Sequence, residues 1–360
     1  MEQFDKIKSG IKRNWNRDKL QYAVGAMLYT PALNTSIADS VINKSLSMPY
    51  SLTLCLEDSI SDNSVEKAEA ELENTVKKIY GEWKSGGISD IDIPLIFVRV
   101  RNAAQLKKIN GFLKEYYRII AGYVFPKFSL GCADDYIETI KEINGVSKER
   151  IYMMPILESG DIIDLRTRHN ILYLIKEKLD CVKDFVLNIR VGGNDFCKEF
   201  GIRRNLEETI YDIKTVSSAL ADILTVFSRE YVVSGPVWEY FAGKGMAWEE
   251  GLKRETRLDI LNGFVGKTVI HPLQIAPVNS CLAVSRADYA DACDISGWNC
   301  GSLGVSKSGN GERMNELKTH LAWAEKILCL AEFYGHPVLS PGGPYGPSGR
   351  RQVADCRRAA

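Results

Sequence analysis

Acidic side chains follow two apolar segments of the sequence, and this pattern is the one most able to do chemistry. Glu158 ends the segment 151–158, and Asp195 follows the segment 185–191 after two glycines. Short apolar runs of this kind are typical of buried strands, and active sites of α/β barrels lie at the C-terminal ends of their strands. Two such carboxylates without a nearby His or Cys ligand predict a hard cation held by oxygen, Mg²⁺ or Mn²⁺.

Other charged residues stand at the ends of further predicted strands. Glu57 and Asp58 end the second strand, Arg99 lies in the third, and Lys127 ends the fourth. A planar guanidinium can clamp a substrate carboxylate. Together with a metal it fixes positive charge where an enolate develops negative charge. Glu57, Asp58 and a water on the metal remain open as the general base.

A simpler interpretation competes for each of these residues taken singly. An acid after a strand can stabilise the start of the following helix, and Lys127 can form an ordinary surface ion pair. The simpler interpretation weakens because two acids, an arginine and a lysine all fall at strand ends of one predicted domain.

Eight predicted strands alternate with amphipathic helices, which favours a (β/α)8 TIM barrel. From Ala23 to Pro272 the chain spans 250 residues, near the size of about 250 typical of this barrel. A doubly wound open sheet is the alternative, but no glycine-rich dinucleotide fingerprint follows the first strand. The predicted strands are 23–31, 51–58, 94–100, 122–127, 151–158, 185–191, 230–236 and 266–272.

The helical pattern with the longest apolar face begins at Asn205 and includes Leu206, Ile210 and Leu224. We predict a barrel domain over 1–280, a helical extension over 281–339 and a disordered tail over 340–360, which is rich in Gly and Pro. Within the extension the predicted segments are a helix near 285–295, a Gly/Ser-rich loop at 296–311 and an amphipathic helix over 312–334.

The composition excludes several classes of protein. Lys and Arg number 46, as do Asp and Glu, so the formal net charge is zero, and neither nucleic acid nor an anionic membrane is indicated as a partner. The sequence contains no apolar run of membrane-spanning length and no signal-peptide core. Its nine cysteines are scattered without a C-x-x-C pair, which argues against disulfides or zinc. We expect a cytoplasmic protein.

Between residues 23 and 280 the sequence resembles the citrate lyase beta-subunit group of the HpcH/HpaI aldolase family. A divergent C–C bond lyase branch is indicated by the segment 297–316. The resemblance implies a TIM barrel, a homo-oligomer (trimer or hexamer) and Mg²⁺-dependent cleavage or formation of a C–C bond in hydroxy acids, often as acyl-CoA thioesters. The matching segments are LYTPA from Leu28, LEDSI from Leu56, FVRVRN from Phe97, VFPK from Val124, PILES from Pro155, GGNDFCKEFG from Gly192 and GFVGKTVIHPLQI from Gly263.

The resemblance also implies roles for individual residues. Glu158 and Asp195 match the metal ligands, and Arg99 matches the residue that binds the substrate carboxylate. Glu57 and Asp58 match acids near the site, and Lys127 matches a Pro-Lys motif. The sequence departs from the pattern at Cys55, where the family has Asp, and at Ser234, where relatives often have an acid.

We therefore expect a Mg²⁺-dependent C–C bond lyase that cleaves a hydroxy or keto carboxylic acid, or its CoA thioester, through a metal-stabilised enolate. Two alternatives stay open. The same site could hydrolyse or transfer an acyl-CoA thioester, or the barrel could be a non-catalytic binding or assembly subunit.

Overall fold

A computed structural model describes five stretches of the chain, at residues 15–46, 49–243, 245–298, 303–309 and 311–336. The described residues fall into two compact units that meet in sequence between Cys281 and Leu282.

Several predictions concern segments outside the described residues. The tail predicted at 340–360 lies outside the described residues, as do residues 1–14. The predicted loop at 296–311 lies partly outside them.

The first unit is built on eight parallel strands, which are buried along most of their length because their residues are almost all apolar. Every residue of the second to the sixth strand is buried. The strands are β1 (Ala26–Pro31), β2 (Ser51–Cys55), β3 (Leu95–Arg99), β4 (Ile120–Phe125), β5 (Tyr152–Leu157), β6 (Ile189–Val191), β7 (Val233–Ser234) and β8 (Lys267–Val269).

The strands form a ring. Each strand from β1 to β6 pairs in parallel with the next along the chain, and β1 also pairs with β8. The last gap, between β7 and β8, is closed by Val265 N donating to Val233 O at 2.8 Å and by Gly235 N donating to Gly266 O at 2.9 Å. The predicted TIM barrel is confirmed, and the open doubly wound sheet is excluded because both edges of the sheet meet.

Helices cover the outside of the ring, as the alternation of patterns predicts. The helices of this unit are α1 (Arg17–Ala23), α2 (Ile37–Ile42), α3 (Val65–Ser85), α4 (Ala103–Leu113), α5 (Leu130–Val146), α6 (Arg168–Asp180), α7 (Gly193–Glu199), α8 (Lys214–Phe227), α9 (Ala247–Asn262) and α10 (Ile275–Leu282).

The predicted helix start at Asn205 is wrong, because α8 begins nine residues later, at Lys214. Side chains of α9 hold the intervening segment in another conformation. Arg254 donates to the carbonyl of Glu207 at 2.6 Å, and the carboxylate of Glu255 accepts from the N–H of Ile210 at 2.7 Å. These tertiary bonds override the local apolar periodicity.

The second unit, described over residues 282–298, 303–309 and 311–336, contains helix α11 (Arg286–Ser296), an antiparallel hairpin and helix α12 (Leu317–Tyr334). The hairpin strands are β9 (Val305–Lys307) and β10 (Met314–Glu316).

Two predictions for the second unit are therefore wrong. The Gly/Ser-rich loop contains a strand, and the last helix begins at Leu317 rather than at 312, because the residues before it pair with β9. The core of the second unit includes Ala292, Ile295 and Ala324.

Across the described residues of both units, no helix combines the length and the apolar character needed to cross a membrane.

Candidate active site

The predicted site residues gather at the C-terminal edge of the barrel. Arg99 is the last residue of β3, and Glu158 directly follows β5. Glu57 lies two residues beyond the end of β2, and Lys127 lies two beyond the end of β4. Because the strands are parallel, their carboxyl ends share one edge of the barrel, and side chains distant in sequence come within hydrogen-bonding distance there.

Arg99 forms ion pairs with three carboxylates of the site. Its Nη2 lies 2.7 Å from Glu57 Oε2, 3.0 Å from Asp58 Oδ2 and 3.5 Å from Glu158 Oε1. Its Nε has no hydrogen-bond partner in the described part of the chain. The guanidinium is buried, yet it keeps donor capacity for a further anion. Burial lowers the pKa of Arg99, but its electrostatic interactions with Tyr29 and with the nearby acids outweigh this and raise the pKa, so the side chain stays cationic.

Lys127 contacts the same acids through both its side chain and its main chain. Its Nζ lies 2.6 Å from Glu57 Oε1 and 3.3 Å from Asp58 Oδ1. Its backbone N–H donates to Glu158 Oε1 at 2.8 Å. The residue has a φ of 49°, in the left-handed region that side chains other than Gly rarely adopt. This conformation lets one residue hold Glu57 through its ammonium and Glu158 through its main chain.

Glu158 is packed tightly against the start of α7. A Cβ atom added at Gly192 would lie 2.2 Å from Glu158 Oε2 and 2.3 Å from its Cβ, so only glycine fits there. Burial raises the pKa of the Glu158 carboxyl, the charge of Arg99 lowers it and the charge of Asp195 raises it, with a net pKa of about 8. The simpler interpretation of Glu158 as a helix cap is wrong, since its side chain accepts from the main chain beyond β4 instead.

Asp195 lies in the first turn of α7 and is half buried. In the described ranges of the chain, no side chain forms a hydrogen bond or ion pair with it, whereas Glu57, Asp58 and Glu158 all have cationic partners. Asp195 nevertheless lies near enough to Glu158 to raise its pKa. Its carboxylate is the acid of the cluster that stays open to an added cation.

The donor set fits a divalent cation with few protein ligands. Four carboxylates against the cations Arg99 and Lys127 leave the cluster with a formal charge of −2. Among the described residues, no group of three or more His, Cys, Asp or Glu side chains has the arrangement of a metal site. Mg²⁺ commonly takes only one or two protein carboxylates and fills its other positions with water or substrate, so Glu158 and Asp195 would suffice.

Three residues near this cluster were missed by sequence reasoning. Tyr29 lies beside Arg99, whose Cζ is 5.8 Å from the centre of its ring. Arg190 lies near the same ring, with its Cζ at 5.9 Å. Asn188 precedes Arg190 by two residues. For two of them a signal was available, because polar residues at 188 and 190 alternate with apolar ones, although β6 begins only at Ile189.

Solved structures of similar fold are distant in sequence. CitE from Mycobacterium tuberculosis in complex with magnesium, acetoacetate and coenzyme A is 17% identical and has a TM-score of 0.56, covering 86% of this chain and 99% of that chain. RipC from Yersinia pestis is 16% identical with a TM-score of 0.49, covering 72% and 95%. The citrate lyase beta subunit from M. tuberculosis, complexed with oxaloacetate and magnesium, is 15% identical with a TM-score of 0.48, covering 72% and 98%.

The first of these structures supports the barrel fold. No curated protein matches the sequence. A family model for C–C bond lyases of the TIM-barrel fold, in contrast, matches residues 18–336. The match covers nearly all of the described chain and confirms the predicted lyase branch. The chain therefore belongs to the family of carbon–carbon bond lyases of the TIM-barrel fold.

Proposed function

We propose that the protein is a Mg²⁺-dependent lyase that cleaves a C–C bond in a hydroxy or keto carboxylic acid, presented free or as its CoA thioester. The observation that carries this proposal is the cluster at the barrel mouth, where Arg99 and Lys127 bind the carboxylates of Glu57, Asp58 and Glu158. Family membership supplies the reaction class, and the cluster supplies the charges that this class of reaction needs.

The metal ligands in this proposal are Glu158 and Asp195. Bound Mg²⁺ supplies positive charge where the substrate develops negative charge. Arg99 orients the substrate carboxylate through the donors that its acid partners leave unused. Gly192 leaves the space that the Glu158 carboxylate occupies, and the N–H of Lys127 holds this carboxylate by a hydrogen bond.

Cleavage of a hydroxy acid needs a base for the hydroxyl proton and a donor that protonates the carbon released when the bond breaks. Lys127, Glu57 and Asp58 are the candidates for these transfers. The Lys127 ammonium is half exposed while both acids hold it, so it is placed to exchange protons with a ligand at the mouth. Its two acid partners can accept a proton in turn.

The proposal is tested by calorimetric titration of Mg²⁺ and then oxalate, an enolate mimic, into the wild type, Asp195→Ala and Glu158→Ala. We expect Mg²⁺-dependent oxalate binding in the wild type and its loss in both variants. Asp134→Asn is the matched control, because Asp134 forms an exposed ion pair with Lys178 on the barrel surface and should leave binding unchanged. Equal binding by the wild type and the two site variants would contradict the assignment.

Product analysis then separates cleavage from thioester hydrolysis. A lyase releases two carbon fragments from the acid, whereas a hydrolase releases free CoA and an intact acid. The CitE structure that holds magnesium, acetoacetate and coenzyme A makes short acyl-CoA thioesters and their free acids the first substrates to test. Mn²⁺ in place of Mg²⁺, a cytoplasmic location and a trimeric or hexameric homo-oligomer stay predictions.

A further inference from the structure

The position of the Asp195 carboxylate depends on the main chain that carries it. Among the described residues no side chain bonds to this carboxylate, and Asp195 lies in the first turn of α7, a helix of only seven residues. In that turn Gly192 N donates to Leu157 O at 3.1 Å, and Phe196 N donates to Gly192 O at 3.1 Å. Whatever packs against the start of α7 therefore decides where the carboxylate of Asp195 lies.

Two segments of the barrel mouth pack against the start of α7. Gly193 is buried, and a Cβ atom added there would lie 2.7 Å from Pro236 Cβ and 3.3 Å from Ile210 Cδ1. Pro236 follows β7, and Ile210 lies in the segment between α7 and α8. Both segments thus press against the residue that lies two positions before Asp195, so a shift of either one moves the start of the helix.

A buried ion pair ties these two segments together. The side chains of Arg204 and Glu255 are 1% and 0% exposed, and Arg204 Nη1 lies 2.7 Å from Glu255 Oε2. The same Oε2 atom accepts from the N–H of Ile210 at 2.7 Å. Arg204 Nη2 donates to the carbonyl of Val237 at 2.7 Å, directly after Pro236. One ion pair therefore holds the main chain at both contacts of Gly193.

The other oxygen of Glu255 has a partner that does not reach either segment. Lys267 Nζ lies 2.9 Å from Glu255 Oε1 and 2.6 Å from Asp259 Oδ2, and so ties α9 to β8. Asp259 accepts from the hydroxyl of Tyr211 at 2.7 Å through its second oxygen, Oδ1. Removal of the Lys267 ammonium would leave every bond between these acids and the segment between α7 and α8 in place.

We propose that Arg204 and Glu255 are positioning residues for Asp195, which they hold in place for Mg²⁺ through Ile210, Pro236 and the start of α7. This inference rests on the proposed function, in which Asp195 is a metal ligand. Buried ion pairs often add little stability compared with apolar side chains of similar volume, so the main-chain groups that this pair fixes are the better explanation of its presence. Residues that orient a metal ligand without touching the metal commonly control metal affinity.

The test compares two substitutions within the same buried cluster. Arg204→Met removes the bonds to Glu255 and Val237, whereas Lys267→Met removes the bonds to Glu255 Oε1 and Asp259. Both variants leave a buried acid with one cationic partner fewer, so both lose stability. Mg²⁺ is titrated calorimetrically at a temperature at which both are folded. We expect Mg²⁺ affinity to fall by about tenfold or more in Arg204→Met and to stay at the wild-type value in Lys267→Met.

Hydrogen exchange of the metal-free protein gives a second readout. The amide of Phe196 donates to Gly192 O in the first turn of α7. Its exchange should be faster in Arg204→Met than in Lys267→Met, because only the first substitution releases the segments that enclose the start of the helix.

The outcomes separate this inference from the proposed function. Loss of Mg²⁺ binding in Asp195→Ala with unchanged affinity in Arg204→Met would overturn the inference and leave the proposed function standing. Equal losses in Arg204→Met and Lys267→Met would also overturn it, since general destabilisation would then explain both. A wild type that binds no Mg²⁺ would overturn the proposed function and, with it, any role of the pair in metal binding.

A milder substitution covers the case in which Arg204→Met does not fold. Arg204→Lys keeps a positive charge for Glu255 but lacks the planar group that donates to Glu255 and Val237 at once. It should weaken Mg²⁺ binding and speed the exchange of Phe196, and wild-type values for both would overturn the inference.

Discussion

A Cβ atom at Gly192 would lie 2.2 Å from the Oε2 atom of Glu158, so the carboxylate of Glu158 occupies the space that any other residue at 192 would fill. The acid is held on its other side by the N–H of Lys127 at 2.8 Å. It is therefore fixed between the start of α7 and the turn after β4.

Gly192→Ala should displace Glu158 and weaken Mg²⁺ binding by about 10- to 100-fold, the range typical of disturbed metal surroundings. Isothermal titration with Mg²⁺ measures the effect. Gly131→Ala is the control, because its added Cβ has no neighbour closer than 3.9 Å. Unchanged Mg²⁺ affinity in Gly192→Ala would show that Glu158 is not a metal ligand, or that the backbone shifts to accommodate the added Cβ atom without loss of free energy.

Arg99→Lys should keep the positive charge beside Glu57 but lose the planar guanidinium. Hydrogen bonds to charged groups contribute about 1.5–3 kcal/mol, so oxalate affinity in the presence of Mg²⁺ should fall by about tenfold or more. Mg²⁺ affinity measured alone should change far less, because the charge near the metal ligands is retained. A variant with normal oxalate affinity would exclude Arg99 as the carboxylate-binding residue.

The left-handed backbone conformation of Lys127 leads to a prediction that does not depend on the charge of the lysine side chain. Lys127→Asn and Lys127→Val both remove the ammonium, but Asn tolerates positive φ and a β-branched residue does not. The Val variant should be less stable than the Asn variant by about 1–2 kcal/mol in urea unfolding. Equal stabilities would mean that the backbone at 127 adopts an ordinary conformation in solution.

A second ion cluster, between β8 and α9, serves stability. Lys267 is fully buried, with its Nζ 2.9 Å from Glu255 Oε1 and 2.6 Å from Asp259 Oδ2. Lys267→Met leaves both acids without this partner and should lower the free energy of unfolding by about 3–5 kcal/mol. Lys178→Met, which removes the exposed pair with Asp134, should change it by less than about 1 kcal/mol. Comparable effects of the two substitutions in urea unfolding would contradict a structural role for the buried cluster.

Sequence reasoning succeeded where local pattern and chain order were sufficient. Apolar runs bounded by Gly, Pro and acids marked all eight strands, and the parallel order then required Arg99, Lys127 and Glu158 to share one edge. It failed where a distant side chain decides the local structure. The segment after Asn205 has helical periodicity, but Arg254 and Glu255 of a later helix bind its backbone, and no local pattern contains that information.

The interior residues were missed for a different reason. Segment 185–191 has the pattern of an apolar strand, in which Asn188 and Arg190 alternate with apolar residues. That Arg190 reaches Tyr29 depends on which strands face each other across a closed ring, which follows from the barrel geometry and not from the spacing of residues.

The shortness of β7 has a mechanical consequence. With only Val233 and Ser234 in the strand, the ring is joined to β8 by few main-chain bonds, and this seam is where the barrel should open first in native-state hydrogen exchange. The bond from Arg190 on β6 to Thr268 on β8 spans the seam from within. Loss of this bond in Arg190→Met should speed exchange at the amides of Gly235 and Val265, which donate across the same gap.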